Sequence, residues 1–180
     1  MKSIVYFISI FFFFNSHQGF SQDNAARIQE IKTMYSEIVE LQKNTDQKQC
    51  KTGKKTTYES LESSTTGFPF EQTAEKCTLK NNYSIIKGNF KGYEWGNDIF
   101  FYYKNNNLFF VYSEGGAESC YSEYRIYYDI KGNVIKILEK SNDCSGETPV
   151  KNTDITEPEE QKRILLRVNE DLAAATEMLK

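Results

Sequence analysis

Hydrophobic and polar positions change period along this chain, and each change marks an element. An unbroken apolar run, Ile4 to Phe14, comes first. It is followed by Ile28, Ile31, Tyr35 and Ile38 at three- and four-residue steps. Such steps put side chains on one face of a helix. Asp23 or Asn24 is placed to cap that helix, and Asn44-Thr45-Asp46 to end it. Residues 45–76 are polar and rich in Lys, Thr, Ser and Glu, with Thr56-Thr57-Tyr58 as a short strand and Ser63 to Pro69 as a loop.

From Cys77 to Lys140 the period falls to two, and β-branched and aromatic residues alternate between Asn/Gly breaks. Three segments share the form strand, turn, strand: Cys77–Ile86, Phe101–Phe110 and Ile126–Ile135. Asn and Gly suit the turns because they adopt positive φ most cheaply. Together these predict six antiparallel strands in a meander, seven if Thr56-Thr57-Tyr58 adds one. The chain then returns to a helical pattern. Thr156 with Glu159 reads as a capping box and Pro158 as a first-turn residue. The stripe Ile164, Leu165, Val168, Leu172, Ala175, Leu179 continues to the C-terminus. The predicted fold class is α+β, a meander sheet packed by an N-terminal and a C-terminal helix.

The stretches Tyr102–Tyr112 (YYKNNNLFFVY) and Glu123–Asp129 (EYRIYYD) resemble segments of a loose group of small exported bacterial proteins. That group combines an amphipathic N-terminal helix, such hairpins and a C-terminal helix. The resemblance implies the fold and carries no activity.

The apolar run after Lys2, ending in Gly19-Phe20-Ser21, has the layout of a secretory signal peptide cut after Ser21. It is shorter than the roughly 20 residues a membrane span needs. Its removal leaves residues 22–180 as a single exported domain. The 21 Lys and Arg against 25 Asp and Glu that remain give a net charge of −4. An acidic surface argues against nucleic acid as a partner. No membrane anchor is expected, and the location is periplasmic or secreted.

The one histidine, His17, lies within this leader. Without it, Ser-His-Asp catalysis, Cys-His catalysis and histidine-ligated zinc are excluded from the mature chain. No cofactor or metal is expected. The four cysteines Cys50, Cys77, Cys120 and Cys144 form no CxxC pair and read as two structural disulfides. With Ile130-Lys131-Gly132 as a three-residue hairpin loop, Cys120 and Cys144 fall two positions off direct opposition on one face. That geometry predicts Cys120–Cys144, and Cys50–Cys77 follows by elimination.

Taking Asn105-Asn106 and Gly96-Asn97 as two-residue turns sorts the central strands into faces. One carries Ile86, Phe90, Ile99, Phe101, Tyr103, Leu108, Phe110 and Tyr112, and both helices are expected to cover it. The other carries Ile85, Lys87, Lys91, Tyr93, Trp95, Phe100, Tyr102, Phe109 and Val111. Lys91, Tyr93, Trp95, Phe100, Tyr102 and Phe109 on this second face form the candidate ligand-binding platform, because contiguous exposed aromatics mark interaction sites. Glu114, Glu118 and Glu123 surround Gly115-Gly116 in an expected loop, as a candidate carboxylate group. Asn82-Tyr83-Ser84 is a formal glycosylation sequon.

The resulting expectation is an exported, non-enzymatic binding module or inhibitor of the bacterial cell envelope that takes a protein or glycan. The alternatives are a carboxylate-based glycan hydrolase and a structural subunit of an envelope complex.

Overall fold

The structure, a computed structural model, describes residues 18–43, 48–59, 67–118, 120–142, 144 and 152–180. The apolar run, His17 and most of the expected signal peptide lie outside these residues. So do the helix stop at Asn44-Thr45-Asp46 and most of the Ser63–Pro69 loop. The elements are α1 (Gln18–Lys43), β1 (Lys48–Glu59), β2 (Phe68–Leu79), β3 (Tyr83–Lys91), β4 (Trp95–Lys104), β5 (Asn107–Ala117), β6 (Cys120–Tyr128), β7 (Val134–Ser141), β8 (Thr153–Asp154) and α2 (Pro158–Met178). All eight strands form one antiparallel sheet in sequence order.

The hairpin turns follow local chemistry. Asn105 and Asn106 have φ of 51° and 64°, as a two-residue turn with matching twist requires. The β6–β7 turn closes through Ile130-Lys131-Gly132, with Gly132 at φ 85° and Asp129 N–H donating to the Asn133 carbonyl at 2.8 Å. The Asp129 carboxylate accepts the Lys131 and Asn133 amides, each at 2.8 Å. The Asn133 side chain, donating to it at 2.8 Å, together with these amides holds its pKa below the ordinary carboxylate value.

The sheet has one strand beyond the expected six or seven, the short β8. The seventh, Thr56-Thr57-Tyr58, is part of β1, which forms a long hairpin with β2. Cys50 stands directly opposite Cys77, and the two are bonded. Cys120 and Cys144 are bonded as well, so both expected pairings are found. Gly53 of β1 lies under the end of α2, where a Cβ would come within 1.9 Å of the Met178 carbonyl oxygen. β1 is therefore secured by a disulfide and a helix end, and needs little alternation of its own.

Two caps differ from expectation. α1 begins at Gln18 and runs through Asp23 and Asn24, which are interior residues and not caps. Glu157, not Thr156, is the N-cap of α2, and no side chain caps it. Gln161 instead bonds backward, its amide to the Glu157 carbonyl and its side chain to the Ile155 carbonyl.

The helices lie on opposite faces, where both were expected on one. Ile164, Val168, Ala175 and Leu179 pack on Ile86, Phe90, Ile99, Phe101, Val111 and Ile126. Ile31 and Ile38 of α1 pack on Leu79, Tyr83, Ile85, Tyr102, Phe109 and Phe110. The cause is a β-bulge. Tyr103 pairs with Leu108 but Tyr102 pairs with Phe110, which leaves Phe109 as the extra residue. Beyond the bulge every β5 side chain changes face. Val111 turns toward α2, and Phe110 and Tyr112 turn toward α1. That makes the α1 side apolar enough to seat a helix.

Candidate functional site

The expected aromatic platform is divided by the fold. Tyr102 and Phe109 are 5% and 1% exposed beneath α1, where Tyr35 meets the Tyr102 ring edge-on at 5.3 Å. They belong to the core. Phe100 is half-buried on the uncovered part of the same face, with the Lys87 ammonium 5.0 Å from its ring centre. Lys91 is exposed at the end of β3.

Gly96 and Asn97 are strand residues of β4, not a turn. The β3–β4 turn runs through Gly92, Tyr93 and Glu94. Trp95 therefore starts β4 on the α2 side. There it packs against Phe70 at 5.3 Å, and exposed Tyr93 packs against Phe68 at 4.1 Å.

Gly115 and Gly116 also lie within a strand. Glu114 faces Glu123 across β5 and β6, and Glu118 sits in the turn beyond. Each paired carboxylate is held by its own tyrosine, Glu114 by Tyr112 at 2.8 Å and Glu123 by Tyr121 at 3.1 Å. Burial, the glutamate bond and the neighbouring carboxylates push the Tyr112 and Tyr121 hydroxyls above the ordinary phenol value. The grouping of Cys50, Cys77 and Glu75 has metal-ligand spacing, but its two sulfurs are bonded to each other.

A cleft lies on the opposite face, between α2 and the ends of β4, β5 and β6. It encloses about 310 Å³. Its origin is a change of side-chain size. Under the middle of α2 the sheet presents Ile99, Phe101, Val111 and Ile126. Toward this end the same face carries Asn97, Ser113, Gly115, Ala117 and Ser122, which leave the helix unfilled. Trp95 and Tyr124 wall the cleft, and Arg163, Arg167 and Asp171 reach it from α2. The Phe70–Trp95 and Phe68–Tyr93 contacts extend the aromatic wall outward.

At the base of the cleft, three polar side chains form a hydrogen-bonded chain. Ser113 Oγ donates to Asn97 Oδ1 at 3.0 Å, and Asn97 Nδ2 donates to Asp171 Oδ2 at 3.1 Å. Asn97 and Ser113 are 9% and 7% exposed, and are the buried polar side chains among the described residues. Buried polar groups destabilise unless bonded, and here each bonds the next. Gly115 is required beside them. A Cβ there would lie 2.4 Å from the Gly96 carbonyl oxygen and 3.0 Å from Asn97 Oδ1.

Burial pushes the Asp171 carboxyl up to about 6. Glu170 adds to the rise, while Arg167 and the Asn97 bond oppose it. Its folded pKa is thus above the unfolded one, so the charged form is penalised in the folded state. That penalty is absent below about pH 4, grows between about 4 and 6, and is complete above. Asp171→Asn is expected to raise the melting temperature at pH 7 but not at pH 4. An equal shift at both pH values would show that burial of the charge is not the cause.

Asn97, Ser113 and Asp171 escape sequence reading individually. The available signal was the same-face series Val111, Ser113, Gly115, Ala117, whose shrinking side chains cannot fill a core. No family model, curated protein or solved structure compared with the chain matches it.

Proposed function

We propose that this protein is an exported, non-enzymatic binding module of the bacterial cell envelope whose ligand is a glycan held in the cleft beneath α2. The observation that carries this reading is the hydrogen-bonded Ser113–Asn97–Asp171 chain opening on a cleft walled by Trp95 and Tyr124. Sugars offer apolar ring faces to aromatics and hydroxyls to fixed polar groups, and this lining presents both. Its volume is at the small end of ligand pockets, roughly 300–1,000 Å³. Two disulfides fit an oxidising compartment. Among the described residues, no helix is long and apolar enough to cross a membrane.

Binding is favoured over hydrolysis by the carboxylate content of the cleft. Glycosidases generally flank the bond with two carboxyl groups about 5–10 Å apart. Asp171 is the one carboxylate among the residues lining this cleft. Glu114 and Glu123 face away from it, on the α1 side of the sheet.

Trp95 is the single tryptophan and reports directly on the cleft. Titration with neutral and acidic cell-wall oligosaccharides is expected to change its fluorescence saturably, and Asn97→Ala should weaken the response. If no oligosaccharide moves it while a purified envelope protein does, the ligand is a protein and the glycan reading fails.

A further inference from the structure

Arg163, Arg167 and Asp171 follow at four-residue steps on α2 and therefore form one row facing the cleft. Arg163 is held by Glu160 one turn earlier, its Nε donating at 3.0 Å. Arg167 makes no hydrogen bond or ion pair among the described residues. Its guanidinium is an exposed fork at the mouth of a polar cleft, with Asp171 one turn on as its charge neighbour. A planar guanidinium matches a carboxylate in charge and in donor spacing.

The groups facing Asp171 decide what can join it. Arg167 and Glu170 come from its own helix, Asn97 from β4, Ser113 from β5 and Tyr124 from β6. The Tyr124 hydroxyl is committed to Glu139 of β7 at 3.0 Å, and its pKa is raised to about 12 by burial and that bond. β3 presents Ile86 and Phe90 to α2. Lys54 and Lys55 of β1 line a separate hollow with Glu177 at the helix end. The cleft thus joins two guanidiniums to one carboxylate.

Resting on the glycan reading above, we infer that the cleft selects a carboxylate-bearing saccharide, whose acid group pairs with Arg167, and that proton uptake at Asp171 accompanies its binding. A second anion in the cleft raises the cost of an ionised Asp171, so binding favours its protonated form. Affinity for the acidic saccharide then rises as pH falls through the Asp171 titration, and levels off below it. The ligand's own carboxylate remains ionised there, since exposed carboxyl groups titrate near 4.

The test uses Trp95 fluorescence and calorimetry on the intact protein. The probes are a hexuronate oligosaccharide and the neutral hexose oligosaccharide of the same length and linkage. The acidic probe is expected to bind about ten-fold more tightly at neutral pH. It should gain about another ten-fold between pH 7.5 and 5. Arg167→Ala should bring the two probes level, and circular dichroism will verify that this exposed substitution leaves the fold intact. Asp171→Asn should bind the acidic probe with affinity independent of pH. Equal binding of both probes, without pH dependence, would overturn the acid selectivity and leave glycan binding standing. Binding of neither probe would overturn both.

Discussion

Truncation of Phe109 to alanine is expected to destabilise the protein by about 3–5 kcal/mol, the usual cost of emptying a buried phenylalanine site. Phe109 is 1% exposed and lies between the rings of Tyr83 and Tyr102, each at 6.5 Å. It is also the bulge residue, so it and Phe110 both pack on the α1 side. The lost ring would leave a cavity beneath Ile31 and Ile38 that a helix seated by few side chains cannot readily close. Tyr93→Ala is the control. That residue is 62% exposed and should cost less than about 1 kcal/mol. Urea unfolding followed by circular dichroism measures both. Equal costs would mean that α1 is not seated on this aromatic layer.

Loss of either disulfide is expected to cost about 3 kcal/mol in the chain-entropy model. The bonds close loops with sequence separations of 27 and 24 residues. They sit at different places, Cys50–Cys77 joining edge strand β1 to β2 and Cys120–Cys144 near the β5–β6 turn. Their effects should therefore add within about 0.5 kcal/mol. The paired replacements Cys50→Ala with Cys77→Ala, and Cys120→Ala with Cys144→Ala, measure each bond by denaturant midpoint. Wild-type protein in reductant measures both. An unmoved midpoint, with free thiols verified by alkylation, would rule out this contribution.

The hairpins and helices were legible because their signals are local. Asn105-Asn106 and Gly132 announce turns whatever lies around them. Ile164, Val168 and Ala175 mark a buried helix stripe by spacing alone. Pairing Cys120 with Cys144 needed only the register of one hairpin. β1 and β2 were less legible, because an edge strand with mostly exposed side chains has no reason to alternate. Lys51, Thr52, Lys54 and Lys55 are all exposed, and this edge is secured by Cys50–Cys77 and by contact with the end of α2.

The division of the sheet into faces required the tertiary structure. Side-chain direction in a strand has a period of two, so the single extra residue at Phe109 reverses everything after it. A bulge carries no compositional mark strong enough to locate it in a run such as Leu108-Phe109-Phe110-Val111. With the reversal the α1 side becomes apolar, and α1 covers Tyr102 and Phe109. The β3–β4 turn at Gly92–Glu94 separately puts Trp95 on the α2 side, and the extension of β5 and β6 through the expected loop makes Glu114 and Glu123 a cross-strand pair. The cleft is also a tertiary product, because a hollow forms only where small strand residues come under a helix distant in the chain. The sequence by itself determined an antiparallel meander between two amphipathic helices, closed by two disulfides. The pairing of Asn97 with Asp171 across 74 positions was decided only by folding, since hydrogen-bond partners that far apart leave no periodic trace.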